Sequence, residues 1–326
     1  VRVGIVGLGK MGQIRAQCCQ QVGIEIGAVC DIDPRQLGRF HMIAPSQFHT
    51  DYRDLCARRD IDAVFACAFN NVQASVVAWA LDQGKHVFCE KPPGRNLSDL
   101  RLMDDTLGSH PGLVLMFGFN HRWHEHVLLA KRAIQEHRYG TPLWIRAQYT
   151  SSGHTGLWRQ IPLLSGGGVL LDLGIHVLDL LYWFTGEEFE TLQGLTSLVD
   201  THHFPCPVDD NVFALLRSKT GISASVHFSA SSQPSYGIEI GLSNGNVQLN
   251  GFCSPSGRYS PATYVAIPRD ASADIETKTF ETNNSFHREV NLFRQAVESG
   301  KPVAMASIVD AKRAMQLAFS LQKGAA

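Results

Sequence analysis

Through the first third of the chain, short apolar runs alternate with longer mixed stretches, and the rhythm changes near residue 120. Val1–Val6, Ile24–Cys30, Ala63–Ala68, His86–Cys89 and Leu113–Phe117 carry few polar residues and read as buried strands. Helix signals fall between them. Asp33-Pro34 is an N-cap with proline at the first helical position. Thr50 or Asp51 is placed to cap a short helix through Leu55, and Ser98 to cap Asp99–Leu107. Asn70-Asn71 opens a helix that closes at Gly84, a residue suited to a left-handed cap. Strand–helix alternation of this kind predicts a parallel sheet covered on both faces.

Gly118 to Trp123 is the predicted boundary, giving domains of 1–120 and 121–326. Beyond it a helix is expected from about Glu125 to Arg138, stopped by Tyr139-Gly140-Thr141-Pro142, then a strand over Trp144–Thr150. Ser151–Gly168 is rich in Gly, Ser and Pro and reads as a loop. Val169–Phe184 reads as a helix ended by Thr185-Gly186. From about Phe189 to Phe280 short β-like runs dominate: Val212–Leu216, Ile222–Phe228, Ile238–Leu242, Val247–Leu249 and Tyr264–Ile267. Asn244-Gly245 is a hairpin signal. Two helices, Phe286–Glu298 and Ser307–Leu321, close the chain around Gly300-Lys301-Pro302 and are free to pack back on the first domain. The predicted class is α/β for the first domain, with a parallel sheet, and α+β for the second, with a mostly antiparallel sheet.

At 326 residues the chain is long enough for two cores. With 44% hydrophobic and 18% charged residues it has the make-up of a globular protein. A net charge of −1 gives no electrostatic case for a nucleic-acid or membrane partner. The run Val169–Phe184 contains Asp172, His176 and Asp179, and is too short and too charged to span a bilayer. The eight cysteines form no CxxC pair, and Cys30, Cys67 and Cys89 lie in or beside predicted strands. With no signal-peptide pattern ahead of the first strand, a reduced cytoplasmic setting is expected.

Candidate chemistry begins directly after the first strand, at Gly7-x-Gly9-x-x-Gly12. Gly7 suits a tight turn. Gly9 has no Cβ, so a pyrophosphate can approach the backbone. Gly12 lets the following helix pack on the strand. Lys10 and Met11 join the glycines at a helix N-terminus whose amides and dipole favour an anion. Asp31, 19 residues past Gly12, ends the second apolar run, where an acidic residue takes the ribose 2′-hydroxyl. A carboxylate there repels a 2′-phosphate and favours NAD over NADP, while Arg35 and Arg39 downstream keep NADP open. The expected first domain is therefore a dinucleotide-binding Rossmann domain.

Two further motifs carry acid–base groups. Glu90-Lys91-Pro92 ends a parallel strand, at the sheet edge outside which open α/β sheets bind ligands. Lys91 can hydrogen-bond a substrate hydroxyl there, or stand as a solvated turn lysine. Asp172 and His176 are i and i+4 on a predicted helix behind Gly166-Gly167-Gly168, so they share a face. Carboxylate and imidazole together suit acid–base chemistry on an alcohol. Taken in isolation, the pair reads more readily as a structural histidine with a helix-surface aspartate. His121, His124 and His126 are close in sequence, as are His202, His203 and Cys206. Neither group has a familiar zinc spacing; both read as solvated, and no metal site is expected.

In this order and at these separations, the glycine motif, Asp31, Gly84-Lys85-His86-Val87-Phe88-Cys89-Glu90-Lys91-Pro92 and the segment Gly166–His176 resemble the glucose-fructose oxidoreductase / inositol dehydrogenase (Gfo/Idh/MocA) family. Arg138-Tyr139-Gly140-Thr141-Pro142 and Phe286-x-x-Glu289-x-x-x-Phe293 extend the resemblance over nearly the whole chain. The resemblance implies NAD(P)-dependent redox chemistry and a second domain that binds substrate and forms a homodimer or homotetramer. By position, Lys91, Asp172 and His176 match the family's catalytic lysine, aspartate and histidine. Asn70 and Glu90 fall beside the cofactor. Arg122, Trp158 and Arg159 fall in regions bordering the substrate pocket, as candidates for gripping hydroxyls or a phosphate. One segment departs: Ala68-Phe69-Asn70-Asn71-Val72-Gln73 stands where relatives often carry Thr-Pro-Asn-x-x-His. Phe69 and Gln73 leave the nearby cofactor contacts open.

The function so implied is an oxidoreductase that moves a hydride between nicotinamide and a secondary hydroxyl of a sugar, sugar derivative or cyclitol. His176 is its acid/base, and Lys91 orients the oxygen. Two other readings remain at this stage: an NAD-dependent glycosidase or lyase using transient oxidation, and a non-catalytic NAD-binding sensor.

Overall fold

The apolar runs of the first third form β1 (Arg2–Val6), β2 (Glu25–Cys30), β3 (Phe48–His49), β4 (Ala63–Ala66), β5 (His86–Cys89) and β6 (Leu115–Phe117). The computed structural model describes residues 1–40, 43–153, 157–199, 208–254, 259–300 and 305–323. His202, His203, Cys206 and the Lys301-Pro302 break lie outside the described residues. The chain divides into two units, Val1–Phe119 with Phe286–Lys312, and Asn120–Ser285 with Arg313–Ala326.

In the first unit all six strands run parallel, in the order β3-β2-β1-β4-β5-β6. Strand order reverses between β1 and β4, which makes the carboxyl end of these two strands the switch point where such sheets bind ligands. Val3, Ile5, Val64, Phe65, Val87 and Phe88 are fully buried, so the strands read as continuous apolar runs with no alternation. The connecting helices are α1 (Lys10–Gln21), α2 (Tyr52–Cys56), α3 (Asn70–Asp82) and α4 (Leu97–Ser109). Asp51 caps α2, accepting from the Arg53 amide at 2.8 Å. The cap of α4 is Asn96, whose Oδ1 accepts from the Asp99 amide at 2.9 Å. Asn96 has the extended backbone a cap needs, and Ser98 lies inside the helix.

The second unit holds α5 (Glu125–Gln135), β7 (Pro142–Ser152), α6 (Pro162–Ser165), α7 (Ile175–Thr185), β8 (Phe189–Ser197), β9 (Asn211–Ser218), β10 (Ser223–Ser229), β11 (Ser231–Leu242), β12 (Gly245–Asn250), β13 (Ala262–Pro268) and β14 (Glu276–Phe280). The strands form one sheet in the order β14-β13-β12-β11-β7-β10-β9-β8. Only β7 and β10 pair in parallel; the other neighbours are antiparallel. Burial alternates along β9, with Val212, Ala214 and Leu216 inside and Phe213 and Leu215 exposed. The hairpin between β11 and β12 turns at Ser243-Asn244, with Leu242 paired to Gly245. The helix expected over Val169–Phe184 instead opens with a π-helical turn, Leu170–Gly174, before α7 begins. Gly174 is needed there, because a Cβ would strike the Phe228 ring of β10. Pro162–Thr185 is long and apolar enough to cross a membrane by composition, but most of it is buried within this unit.

Two helices end the chain, α8 (Ser285–Ser299) and α9 (Ile308–Lys323). Val290, Phe293 and Ala296 of α8 join the core of the first unit with Ile5, Phe65 and Phe88. The Phe293 ring meets Phe65 and Phe88 edge-on, at 5.3 and 5.7 Å between centroids.

Candidate active site

The three glycines divide the work of the first turn. Gly7 takes φ +89°, and its amide donates to the Cys30 carbonyl at 2.8 Å. A Cβ on Gly7 would meet the Cys67–Ala68 backbone, and one on Gly12 would run into the Gly7 carbonyl oxygen. A Cβ on Gly9 meets nothing within 4 Å. Two glycines therefore close the turn, and the third leaves open space at the start of α1. That helix begins without a side-chain cap and without an acidic residue in its first turn, so its first amides and dipole are left for an anion. Asp31 stands beside this space. Its Oδ2 accepts from the Leu8 amide at 2.8 Å and its Oδ1 from the Asp33 amide at 2.9 Å, which fixes the carboxylate. Arg35 is paired with Asp33, Nε to Oδ1 at 2.8 Å, and Arg39 is exposed. The open space at Gly9, the uncapped helix start and the anchored Asp31 fit a pyrophosphate and a ribose.

This division has a measurable consequence. Gly12→Ala should cost about 1–3 kcal/mol of stability through overpacking against the Gly7 carbonyl. Gly9→Val should leave the melting temperature nearly unchanged and weaken NAD binding at least about tenfold, or about 1.4 kcal/mol. Thermal melts and NAD titrations of the two variants separate the effects. Equal loss of stability in both would refute the assignment.

Lys91 lies past the end of β5 and is partly exposed. Its neighbour Glu90 is only 4% exposed. The Glu90 carboxylate accepts from Arg15 Nε at 2.6 Å, and Arg15 Nη2 pairs with Glu289 Oε2 of α8 at 2.8 Å. Arg15 is fully buried, with its guanidinium 4.3 Å from the Phe88 ring centroid. Burial opposes its charge, but the Glu90 and Glu289 carboxylates outweigh that and raise its pKa. Gly118 leaves room for the pair, since a Cβ there would crowd Arg15 and Glu90. Glu90, expected beside the cofactor, thus turns its carboxylate into the unit, and what it holds is the chain leading to Lys91. Gln73, on α3, is 1% exposed and donates through Nε2 to the carbonyl oxygens of Glu90 and Pro92. The departure at this position therefore braces the Lys91 segment. Asn70 is buried at the first position of α3, just past the carboxyl end of β4, and Phe69 before it is largely exposed.

In the second unit, Asp172 and His176 straddle the junction of the π-helical turn and α7. The turn is anchored from outside: the Gly168 and Leu170 amides donate to the Asp209 carboxylate at 3.0 and 2.9 Å. Asp172 Oδ1 pairs with Arg159 Nε at 3.1 Å, and that guanidinium lies 4.6 Å from the Trp158 ring centroid. Three of the expected site residues are thus brought together. His176 is 4% exposed, and its ring stacks on His121 with centroids 4.0 Å apart and planes at 14°. Tyr149, Tyr236 and Phe252 surround His121 at 5.5, 5.4 and 5.1 Å.

Two expectations need correction here. His121, His124 and His126 are not solvated; they are 3%, 3% and 1% exposed. Burial pushes His124 down to about 3 and His126 to about 4, so both are neutral near pH 7 and the wall around His121 carries no charge from them. Arg122 does not face open space. It is buried, its Nε donates to Asp179 Oδ2 at 2.7 Å, its Nη2 donates to Oδ1, and its guanidinium lies 4.6 Å from the Trp183 ring centroid. A guanidinium so committed is a packing element of this unit. Sequence reasoning missed Arg15, and it named Gln73 and His121 without the roles that their contacts give them. The one local signal was Arg15 itself, a charge at helical spacing from Gly12 and Cys19 on a face otherwise built to be buried.

Residues 1–119 match the family described as "Oxidoreductase family, NAD-binding Rossmann fold", and residues 127–248 match the GFO/IDH/MocA C-terminal domain. The chain belongs to the GFO/IDH/MocA oxidoreductase family. Among its relatives is myo-inositol 2-dehydrogenase of Thermotoga maritima, 26% identical over 99% of this chain and 96% of the relative. The fold is shared with levoglucosan dehydrogenase solved with NADH and levoglucosan, at TM-score 0.88 and 22% identity over 100% of this chain and 97% of that one. It is shared too with a 3-ketoreductase of Actinomadura kijaniata solved with NADP, at TM-score 0.84 and 23% identity over 99% and 97%. The first unit of this GFO/IDH/MocA protein thus carries the family's NAD-binding Rossmann fold.

Proposed function

We propose that this protein is an NAD-dependent dehydrogenase that oxidises a secondary hydroxyl of a sugar, sugar derivative or cyclitol to a ketone. The observation that carries the reading is His176, a nearly buried imidazole stacked on a second imidazole, four residues after a carboxylate held by Arg159. The Gly9 turn, the start of α1 and Asp31 would hold NAD, which would supply the hydride acceptor for the carbinol carbon. His176 takes the hydroxyl proton as the C–H bond breaks, and returns it in the reverse reaction. Lys91 donates a hydrogen bond to the reacting oxygen and steadies the charge that develops there. Asp172, held by Arg159 beside Trp158, accepts hydrogen bonds from the neighbouring hydroxyls of a polyol and so sets which carbon is presented.

The inositol dehydrogenase named above and the levoglucosan complex support the polyol class. The preference for NAD rests on Asp31, whose carboxylate is fixed by two amides and cannot swing aside for a 2′-phosphate. Arg35, engaged with Asp33, offers that phosphate little. Dissociation constants for the two cofactors test this: NAD should bind at least about tenfold more tightly, a margin of about 1.4 kcal/mol. Tighter NADP binding would overturn it. The substrate class is tested by following NADH formation across inositols, anhydrosugars, sugar phosphates and nucleotide sugars.

A further inference from the structure

Lys91 has no regular secondary structure of its own; it lies in the link between β5 and α4. A lysine so placed points where its loop points, and the loop is held by side chains from elsewhere in the same unit. Arg15 grips the Glu90 carboxylate at 2.6 Å, and the other oxygen of that carboxylate takes the Lys91 amide at 3.3 Å. This fixes the approach to Lys91 from one side. The main chain on both sides is held by Gln73. Its Nε2 donates to the Glu90 carbonyl, in the peptide that joins Glu90 to Lys91, and to the Pro92 carbonyl at 3.0 Å.

One buried amide nitrogen therefore gathers two carbonyls that flank Lys91. Carbonyl oxygens aimed at one point repel each other unless a donor sits between them, and although the Pro92 carbonyl also accepts from the Gly94 amide at 2.7 Å, Gln73 is the donor that ties it to the Glu90 carbonyl. Without that donor the Glu90 carbonyl loses its main partner while the Pro92 carbonyl stays held by Gly94, so the Glu90–Lys91 peptide turns and carries the Lys91 Cα–Cβ direction with it. Arg15 does not substitute, because it acts on the Glu90 side chain and on neither carbonyl.

We propose that Gln73 is a positioning residue for Lys91. The inference rests on the reading that Lys91 hydrogen-bonds the reacting oxygen, and it adds the device that aims it. An error near 1 Å in the placement of a reacting group can cost about a hundredfold in rate. Loss of Gln73 should therefore appear in kcat and leave the glycine turn that binds NAD untouched.

The test uses Gln73→Leu, which keeps bulk and removes the donor, Gln73→His, which keeps an N–H, and Lys91→Met. Gln73→Leu should lower kcat at least about tenfold with the NAD dissociation constant within about twofold of the parent. Gln73→His should keep more than about half of the parent kcat. In the Lys91→Met background, Gln73→Leu should cost nothing further, since the group it aims is gone. The proposal falls if Gln73→Leu keeps kcat within about twofold, if Gln73→His is as impaired as Gln73→Leu, or if Gln73→Leu costs the same factor in both backgrounds. Should Gln73→Leu fail to fold, Gln73→Asn takes its place with the same expected loss, because its amide stops short of both carbonyls. Parent-level turnover in Lys91→Met alone would remove the reading of Lys91, whatever the Gln73 variants do.

Discussion

Replacing His176 with alanine is expected to lower kcat by a factor on the order of 10²–10⁴, the usual contribution of a positioned acid–base group. The binding of NAD should be unaffected, since His176 belongs to the second unit and the glycine turn to the first. Several neighbouring groups of the second unit are poor replacements for it. His124 and His126 are held neutral by burial, at about 3 and about 4, so they are weaker bases than an ordinary imidazole. The Tyr149 phenol is pushed well up by burial, so it does not ionise near neutral pH. Asp172 is engaged with Arg159. Steady-state kinetics of His176→Ala with an NAD titration alongside decides the matter. Turnover within about threefold of the parent would reject the assignment of the base.

The second large effect is expected at Lys91. Lys91→Met keeps most of the aliphatic length and removes the ammonium, and should cost about 10²–10³ in kcat, the scale of losing one donor to a developing oxyanion. Lys91→Arg should not restore it. A planar guanidinium presents its donors in a fixed fork and cannot reproduce a compact ammonium on the same short link. The informative comparison is kcat against KM. A donor that strengthens in the transition state shows in kcat, whereas a lysine that merely binds substrate raises KM and leaves kcat alone. The latter result would move Lys91 from chemistry to binding.

Some of this was legible in the sequence because backbone sterics dictate it. Gly7 and Gly12 must lack a Cβ for the turn to close, and Gly9 must lack one for a ligand to approach, so their spacing is a local pattern. The parallel sheet was legible because its strands are buried on both faces. β8 and β14 were harder, since each is an edge strand paired on one side, with no fully buried residue and no sustained apolar run. The link between Arg15 and Glu90 spans 75 residues and leaves no local trace beyond a misplaced charge. His121, His124 and His126 stand among Arg122, Trp123 and Glu125, and a polar run of this kind reads as solvated until the β7 and β11 tyrosines and Phe252 close over it. The same blindness hid the partner of Arg122, which lies 57 residues away in α7. Aspects that depend on which distant side chains meet were not available from spacing, and these aspects decide what Glu90, Gln73 and His121 do.

The central proposal is that a hydride leaves a substrate carbinol and ends on NAD. It is tested most directly with a polyol substrate deuterated at the carbinol carbon, turned over with NAD, and the label located afterwards. The expected result is ketone product with one deuterium transferred to the reduced nicotinamide for each turnover, released as labelled NADH, with that transfer slowed by about 10²–10⁴ in His176→Ala. Product formed with the label returned to the sugar and no NADH released would contradict it, pointing to transient oxidation within a lyase or glycosidase cycle.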